Sequence, residues 1–172
     1  MSDTTLPKTV DPLKYADQDK VLEGHLSIHL MPRLAETLVE STGEVDVKLI
    51  FGRDAQNLRV LNGELTTRLL LTCQRCLQPV ETPIQSRFSL GIVLNDEQAQ
   101  NLPRVYEPLL VEPDKLVVLD VIEEELILSL PMFAYHDDCV IESGSQAEHK
   151  DNEGVSEKTN PFSVLSELKK QD

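Results

Sequence analysis

"LTTRLLLTCQRCLQPVETPIQSRFSLGI", residues 65–92, contains two long runs in which apolar or small side chains recur at every second position. The first run continues in step from residue 65 to Cys73, and the second keeps one parity from Val80 to Ile92. Because successive side chains of a strand point to opposite faces of a sheet, each run predicts a long strand with one buried face. Pro83 lacks a backbone N–H and predicts a sheet edge or a bulge in the second strand. The stretch therefore predicts a hairpin of two long strands.

The rest of the chain adds further strands to this hairpin. Alternating apolar residues predict strands at residues 20–30 and 44–54, and residues 104–113 are predicted to be extended. Asn62-Gly63 lies between two apolar runs and is the commonest dipeptide of two-residue hairpin turns, so it predicts a turn there. Together these strands predict a mainly antiparallel sheet, whose strand order does not follow from the pattern.

Three segments have helical patterns. A short helix is predicted from Pro32 to near Gly43, and Asn95 is a predicted N-cap for residues 95–102. The strongest pattern covers residues 115–130, where an apolar stripe recurs at helical spacing until Pro131. The run Glu123–Glu125 falls largely outside that stripe, so we expect it to face solvent. We expect this long helix to cover one side of the sheet.

These patterns predict an α+β fold, with a mainly antiparallel sheet of about five or six strands, a packed long acidic helix and a short helix in the N-terminal half. Residues 1–141 form the single predicted domain. Residues 142–159 are polar and aperiodic, which predicts a disordered linker, and residues 160–170 predict a short amphipathic helix. The apolar face of that last helix consists of Phe162, Leu165 and Leu168. We expect this face to dock on protein, with the chain's own domain favoured over a partner.

The composition is that of a soluble globular protein. The chain has 172 residues, of which 40% are hydrophobic and 27% charged. Its first residues lack the basic and apolar regions of a secretory signal, and no apolar run reaches the roughly 18 residues of a membrane-spanning helix. Three cysteines make a poor disulfide framework. We therefore expect a reducing, cytoplasmic setting, with neither a membrane nor a small-molecule substrate as partner.

The pair Cys73 and Cys76 is the main candidate for chemistry. Such a pair can ligate a metal, perform thiol–disulfide exchange, or fill space as small residues beside a turn. Redox-active C-x-x-C pairs open a helix that follows a strand in a βαβ unit. Here the pair lies between two strand patterns, which disfavours redox chemistry and leaves the other two interpretations open.

Zinc requires about four ligands, and the pair supplies only two. His136 and Cys139, which follow the predicted long helix, form a second set of donors. His25 and His29 lie four residues apart on a predicted strand, a separation of about 13 Å that is too long to share one ion. The candidate metal ligands are therefore Cys73, Cys76, His136 and Cys139, and zinc is the candidate cofactor.

Charge is distributed unevenly along the chain. The net charge is −14 at pH 7, which disfavours general nucleic-acid binding because phosphates are repelled. Residues 51–90 nevertheless contain five basic side chains against three acidic ones. The basic residues of this block are Arg53, Arg59, Arg68, Arg75 and Arg87. They are either ordinary solvent-facing positions or a local basic face that binds RNA or a partner.

Five segments of the chain carry a resemblance to a known family. In order, they are "LPKTVDPLKYA", "LNGELTTRLLLTCQRCLQPVET", "NDEQAQNLPRVYEPLLVE", "IEEELILSLPMFAYHDDC" and "NPFSVLSELKK". Together they resemble the YceD family of bacterial large ribosomal RNA subunit accumulation proteins, which also has plastid members, over residues 6–170. The resemblance implies a role in the synthesis, processing or stability of large-subunit (23S-type) ribosomal RNA, within ribosome biogenesis. It implies no defined catalytic residues.

The resemblance also bears on the candidate metal ligands. Some members of the family carry a second cysteine pair after the long helix, which implies a four-cysteine zinc site. In this chain the first pair matches as Cys73 and Cys76, whereas the second is reduced to Cys139, with His136 as the substitute donor.

The leading hypothesis is a non-enzymatic ribosome biogenesis factor. The alternative is a thiol oxidoreductase or redox sensor that uses Cys73 and Cys76, and no general-base arrangement supports a ribonuclease. Two routes lead to large-subunit RNA. The arginine block contacts the pre-ribosomal RNA directly, or the acidic helix and tail hold a basic ribosomal protein or biogenesis factor. The overall charge favours the protein partner.

Overall fold

A computed structural model describes residues 6–139 of the chain. The predicted linker at 142–159 and the predicted helix at 160–170 lie outside the described residues, so the domain division stays a prediction. In chain order, the described elements are β1 (Thr9–Val10), α1 (Pro12–Asp17), β2 (Val21–Ser27), a 3-10 turn (Ile28–Leu30), α2 (Pro32–Ala35), β3 (Glu44–Arg53), β4 (Arg59–Thr72), β5 (Pro79–Val93), α3 (Asp96–Gln100), β6 (Glu107–Leu110), β7 (Leu116–Val117) and α4 (Val118–Ser129).

A five-stranded sheet in the order β2-β3-β4-β5-β6 forms the centre of the fold. Neighbouring strands are antiparallel, except that β5 and β6 run parallel. The parallel pair arises because the chain crosses back through α3 between these two strands, and a parallel connection requires such a crossover. Strands β1 and β7 form a separate antiparallel pair. The predicted α+β fold with a mainly antiparallel sheet is confirmed.

The long hairpin predicted from the sequence is the β4–β5 pair. Its register runs without interruption from Val60 opposite Gly91 to Thr72 opposite Pro79. The cysteine pair follows Thr72 and lies in the turn, as predicted. At Pro83 the second edge of β5 is open, because β6 pairs only with residues 90–93. The predicted edge position of the proline is therefore confirmed.

The turn predicted at Asn62-Gly63 was wrong, because both residues lie within β4. The turn between β3 and β4 lies a few residues earlier, where the Asp54 carboxylate accepts hydrogen bonds from the backbone N–H groups of Gln56 (2.9 Å) and Leu58 (2.8 Å). An aspartate that bonds the backbone two residues on is a turn-forming element in its own right. Here it outweighed the Asn-Gly pair.

Gly63 has a packing role instead of a turn role. It lies opposite Phe88 on β5, and a Cβ atom at this glycine would lie only 1.9 Å from the Phe88 Cζ atom. The phenylalanine ring therefore packs directly on the backbone of β4. A glycine inside a strand often marks such a close approach.

The main core lies between the inner face of the sheet and α4. Leu61, Leu65 and Leu69 of β4 are at most 1% exposed, and so are Ile122 and Leu126 of α4. Fully burying each such side chain contributes about 1.5–3 kcal/mol. The prediction that the long helix covers one side of the sheet is confirmed. The opposite face of the sheet is exposed, as the alternating burial along β3 shows.

The burial of the glutamates on α4 differs from the prediction. The helix begins at Val118 instead of residue 115, because the two preceding residues pair with β1 as β7. Glu123 and Glu125 are only 4% and 8% exposed, whereas Glu124 is exposed. Since successive helical residues are rotated by about 100°, three in a row cannot share one face. The expectation that the whole run faces solvent was therefore wrong.

Element boundaries in the N-terminal half also differ from the prediction. The helix predicted from Pro32 to near Gly43 ends at Ala35, because the following chain turns to pair with β4, where the Val39 N–H donates to the Leu70 carbonyl. The strand predicted to residue 30 ends at Ser27. Both differences lie at element ends, where local pattern is least decisive.

Candidate functional site

The candidate site lies at the tip of the β4–β5 hairpin. The Cys73 N–H donates to the Gln78 carbonyl at 2.9 Å, and the Leu77 N–H donates to the Cys73 carbonyl at 2.9 Å. Leu77 has a φ of 61°, a left-handed conformation that sharply reverses the chain. This tight turn brings the Cys76 side chain back towards Cys73.

The chain that follows α4 returns to this turn. Pro131 stops the helix because it cannot continue the hydrogen-bond ladder. Beyond it, the Gln74 N–H donates to the Ala134 carbonyl at 2.9 Å, and Cys73 and Ala134 form an isolated parallel bridge. This pairing places His136 and Cys139 beside the hairpin turn.

The structure brings the four predicted metal ligands together. The donor atoms of Cys73, Cys76, His136 and Cys139 all lie within 4.8 Å of one another. The Sγ atoms of Cys73 and Cys139 are 3.6 Å apart, and Cys76 Sγ lies 3.4 Å from His136 Nδ1. Tetrahedral zinc with its usual bond lengths requires about 3.8 Å between two sulfurs and about 3.6 Å between sulfur and nitrogen. The set therefore has the chemistry and the spacing of a tetrahedral metal site.

The histidine is oriented for coordination through one nitrogen. Its Nε2 lies 2.9 Å from the Pro79 carbonyl oxygen, which can only accept a hydrogen bond. The proton therefore belongs on Nε2, and Nδ1 presents its lone pair towards Cys76. Histidine ligands of metals are commonly fixed in this way by a carbonyl on the opposite ring nitrogen.

The pKa values of two thiols in this set are shifted in opposite directions. Burial acts to raise the pKa of Cys73, but the backbone N–H groups of Cys76, Arg75 and His136 outweigh it and lower that pKa to about 5. At Cys139, burial and the neighbouring sulfurs of Cys73 and Cys76 raise the pKa. A metal binds the thiolate form. A divalent cation in the set would remove the mutual repulsion that opposes ionisation of all three thiols.

The surroundings of the set are partly apolar and partly exposed. Cys73 is fully buried in a small cluster with Leu71, Val80 and Ala134, separate from the main core. On the outside, the Arg75 guanidinium lies over the Tyr135 ring at 5.3 Å from its centroid. Together with the Gln74–Ala134 backbone hydrogen bond, these contacts hold the segment after α4 against the hairpin tip.

Comparison with known proteins relates the sequence of this chain to a family. A family model described as Large ribosomal RNA subunit accumulation protein YceD matches residues 61–169. A protein from Haemophilus influenzae, named Large ribosomal RNA subunit accumulation protein YceD, is 34% identical over 174 residues, which covers 99% of this chain and 100% of the relative. The chain belongs to the YceD family. No solved structure matches it.

The redox alternative gains no support from the YceD family or from the position of the pair. Cys73 and Cys76 lie in the connection between two antiparallel strands, where no helix begins. Thioredoxin-type thiols are activated by the N-terminus of a helix. The low pKa of Cys73 has a different cause, the backbone N–H groups of its own turn and of His136.

Three of the five arginines of residues 51–90 lie near the two ends of β4, with Arg53 at the end of β3 opposite Arg59. Arg53 and Arg59 both bind the Asp17 carboxylate, with closest N–O distances of 2.6 and 2.8 Å. Arg75 donates from Nη1 to the Cys139 carbonyl at 3.1 Å, next to the candidate metal site. The first two arginines are therefore held at the opposite end of β4 from the third.

The other two arginines lie on the exposed face of the sheet. Arg68 pairs with Glu81 at 2.9 Å, and Arg87 pairs with Glu64 at 2.7 Å. Both guanidinium side chains are more than two-thirds exposed. The structure thus gives four of the five arginines a carboxylate partner and does not gather the five into one patch. Their role in binding RNA or a partner stays a prediction.

Glu123 is a residue with a defined role that the sequence pattern did not reveal. Its Oε1 accepts hydrogen bonds from the backbone N–H groups of Arg33 (2.7 Å) and Leu34 (3.1 Å), and its Oε2 accepts one from Arg33 Nε (3.1 Å). It therefore caps the N-terminus of α2 from another helix. The sequence held only an indirect signal for this role. Met31, at the N-cap position of α2, has a side chain that cannot accept hydrogen bonds from the helix N-terminus, so the cap must come from elsewhere.

Asp17 and the helix that carries it were also missed. Helix α1 begins after Asp11, whose side chain accepts from the Lys14 N–H at 2.9 Å, and Pro12 follows at the first helical position. An aspartate followed by a proline is a recognised helix start, so this signal was present in the sequence. Phe162, Leu165 and Leu168 lie outside the described residues. Within residues 6–139, no helix is long and apolar enough to span a membrane.

Proposed function

We propose that this protein is a non-enzymatic, cytoplasmic ribosome biogenesis factor that acts in the accumulation of large-subunit ribosomal RNA. The observation that carries the proposal is the 34% identity to the Haemophilus influenzae protein across 99% of this chain. That relative is named for the accumulation of large-subunit ribosomal RNA. Its name specifies no reaction, which is consistent with a factor that acts by binding.

We infer that the Cys3His set holds zinc in a structural role. Structural zinc sites have four protein ligands, whereas catalytic sites keep one position for water or substrate. Here Cys73 and Cys76 come from the hairpin turn, and His136 and Cys139 come from the segment after α4. The ion would tie these two parts of the chain together.

We infer further that the protein reaches ribosomal RNA through a basic protein partner. The net charge of −14 repels phosphates, and the arginines of residues 51–90 are mostly paired with carboxylates. A lysine- or arginine-rich ribosomal protein or biogenesis factor is attracted by the same field. Docking of Phe162, Leu165 and Leu168 on this chain's own domain is a separate proposal that fits either route.

The proposed function is tested by depleting the protein in its source organism. We expect the ratio of large-subunit to small-subunit ribosomal RNA to fall, and to recover when the wild-type protein is supplied from a plasmid. An unchanged ratio after complete depletion would contradict the proposal.

The route to RNA is tested by crosslinking the tagged protein in cells and identifying both the attached RNA and the attached proteins. If a protein partner mediates the contact with ribosomal RNA, the triple variant in which glutamine replaces Arg68, Arg75 and Arg87 should crosslink to ribosomal RNA as the wild type does. The matched control is replacement of Lys8, Lys14 and Lys20, three basic residues outside the arginine block. Selective loss of RNA crosslinks in the arginine variant would establish direct contact and overturn the protein route.

A further inference from the structure

A groove of about 520 Å³ lies between β6 and α4, on the edge of the sheet. All four residues of β6 line one wall, and α4 lines the other through residues that include Val121, Glu125 and Leu128. At the rim, Leu110 and Leu128 are 58% and 65% exposed. The groove thus combines a strand edge with exposed apolar side chains.

The lining of the groove is strongly acidic. Its carboxylates are Glu107, Glu112, Asp120, Glu124 and Glu125, and its single cation is Lys115. Glu124 is partly neutralised by Arg33, at 3.1 Å. The other four carboxylates form no salt bridge with the residues that the structure describes. Such a lining attracts cations and repels nucleic-acid phosphates.

Glu125 distinguishes this groove from an ordinary acidic surface. It lines the groove, and the residue is only 8% exposed, but its carboxylate oxygens keep some contact with solvent, because no fully buried side-chain oxygen within residues 6–139 lacks a hydrogen bond. Within residues 6–139 it accepts no hydrogen bond. Burial and the nearby charges of Glu107 and Glu124 raise its pKa. A partly desolvated carboxylate beside two other carboxylates is stabilised by a cation placed next to it.

The shape of the groove suits an extended chain. Strand β6 is the last strand of the described sheet and has a strand neighbour on one side only. An exposed edge can bind an added strand through its backbone, while alternate side chains of that strand enter neighbouring pockets. A lysine or arginine at such a position can place its charge beside Glu125 and its aliphatic stem along the rim leucines.

We propose that this groove binds an extended, lysine- or arginine-rich segment of a partner protein, with a basic side chain of that segment paired with Glu125. The inference rests on the proposed function, because it gives the basic protein partner a binding site. The unpaired Glu125, the acidic lining and the free strand edge each point to the same ligand chemistry.

The test measures binding of the full-length protein to a fluorescently labelled peptide in which lysine alternates with threonine. We expect saturable binding that weakens with salt, and binding roughly tenfold weaker or more in a Glu107→Gln, Glu125→Gln variant, because a desolvated charge pair is lost. The matched controls are Glu97→Gln with Asp96→Asn, which remove two charges from α3 outside the groove, and a peptide with glutamate in place of lysine. Equal weakening by both double variants would show a non-specific charge effect and overturn the proposal.

Other occupants give different results in the same experiment. If Lys169→Gln with Lys170→Gln tightens peptide binding, the chain's own C-terminal segment competes for the groove. If the protein self-associates and Glu125→Gln abolishes it, the occupant is a second copy. If a ribosomal RNA fragment binds and the groove variant alone weakens it, the ligand is RNA. Each result would overturn assignment to a partner protein.

The outcome for the groove is separable from the outcome for the proposed function. Normal peptide binding by the groove variant removes the site, whereas the proposed function is judged by the ribosomal RNA ratio after depletion of the whole protein. Folding of the variant is checked by thermal unfolding. We expect Glu125→Gln to raise Tm, since it removes a partly desolvated charge that lies near Glu107 and Glu124, so weaker binding cannot be attributed to unfolding.

Discussion

The hairpin tip and the β6–α4 groove both contain several side chains that can bind a cation. They differ in how closely those side chains are spaced. At the tip, four donor atoms lie within 4.8 Å of one another, a spacing that fits a single metal ion. In the groove, carboxylates line about 520 Å³ of open space, which admits polypeptide side chains. The first arrangement suits an internal cation that holds the fold together, and the second suits a cation supplied by another molecule.

Both regions depend on α4. The segment after the helix carries His136 and Cys139 to the tip, and the helix itself carries Glu125 to the groove. The same helix also holds Glu123, whose carboxylate is fully used in capping α2. Position around the helix therefore decides whether a glutamate is bonded within the described chain, as Glu123 is, or lines the groove, as Glu125 does.

The largest expected effect comes from breaking the hairpin tip. We expect the purified protein to contain zinc in equimolar amount with the chain, and Cys76→Ser to lose it. Apparent binding free energies of structural zinc reach about 10–16 kcal/mol in small zinc-finger peptides, so loss of the ion should lower Tm sharply. Elemental analysis and thermal unfolding with and without a chelator measure both effects.

The control for this prediction is His29→Asn, which removes a histidine outside the Cys3His set. It should retain zinc and Tm. Hydrogen exchange adds a local measurement: chelation should expose the amides of Gln74 and Cys73, which bond across the tip, before those of the main core. Equal zinc content in wild type and Cys76→Ser would contradict the metal site.

The next effect concerns the packing that supports both regions. Leu126 is fully buried on α4, so Leu126→Ala should lower the free energy of unfolding by about 2–5 kcal/mol. Leu128→Ala, on the same helix at the rim of the groove, should change it by less than about 0.5 kcal/mol. Denaturant unfolding of the two variants measures the difference. Comparable losses would show that α4 is packed differently from the structure.

A smaller effect separates the two buried glutamates of α4. Glu123→Gln should lower the free energy of unfolding by about 1–2 kcal/mol, because it weakens charged hydrogen bonds to Arg33 and Leu34. Glu125→Gln should act in the opposite direction, since burial and neighbouring charges raise the pKa of Glu125. Thermal unfolding at neutral pH compares the two variants directly.

The sign for Glu125 follows from linkage. Its pKa is higher in the folded protein than in the unfolded chain, so folding favours the protonated form. The destabilisation is absent below the unfolded pKa and grows as pH rises through the folded one. The advantage of Glu125→Gln over wild type should therefore shrink on acidification. A Tm difference that is independent of pH would contradict this account.

Much of the fold followed from the sequence because it rests on local periodicity. The β4–β5 hairpin, the cysteine turn and the apolar side of α4 are all set by alternation or helical spacing over long segments. The prediction of a turn at Asn62-Gly63 was wrong for two reasons. The Asp54 side chain forms the turn a few residues earlier, and Phe88 packs against Gly63 within the strand pair. That contact joins two strands and is invisible to a local pattern.

The candidate site was predicted in its chemistry but not in its surroundings. The four ligand types sufficed to select Cys73, Cys76, His136 and Cys139, since few other donors of that kind exist in the chain. The roles of Glu123 and Glu125 could not be predicted, because helical pattern gives the rotation of a residue but not what lies opposite it. The elements that surround these two glutamates, α2 for Glu123 and β6 for Glu125, come from distant parts of the sequence.

The smallest effect concerns Asp17, a carboxylate whose situation is the reverse of that of Glu125. The hydrogen bond from Arg59 has the largest influence on its pKa and, together with Arg53, lowers it to about 2 from an ordinary 3.8 against the effect of desolvation. Because its folded pKa is depressed, Asp17 stabilises the protein above about pH 4, and this contribution disappears as pH falls towards 2. Asp17→Asn should therefore lower Tm slightly at neutral pH and not at pH 2.

Salt distinguishes the two carboxylates further. The side chains of the Asp17 pairs are 33–41% exposed, so salt reaches these pairs and their contribution should decrease at high ionic strength. Glu125 is only 8% exposed and its charge is less screened, so the difference between Glu125→Gln and wild type should decrease less in salt. Thermal unfolding of both variants at low and high salt measures this contrast. If salt removed the Glu125 effect as fully as the Asp17 effect, the groove would be an ordinary acidic surface rather than a site that holds a partly desolvated carboxylate.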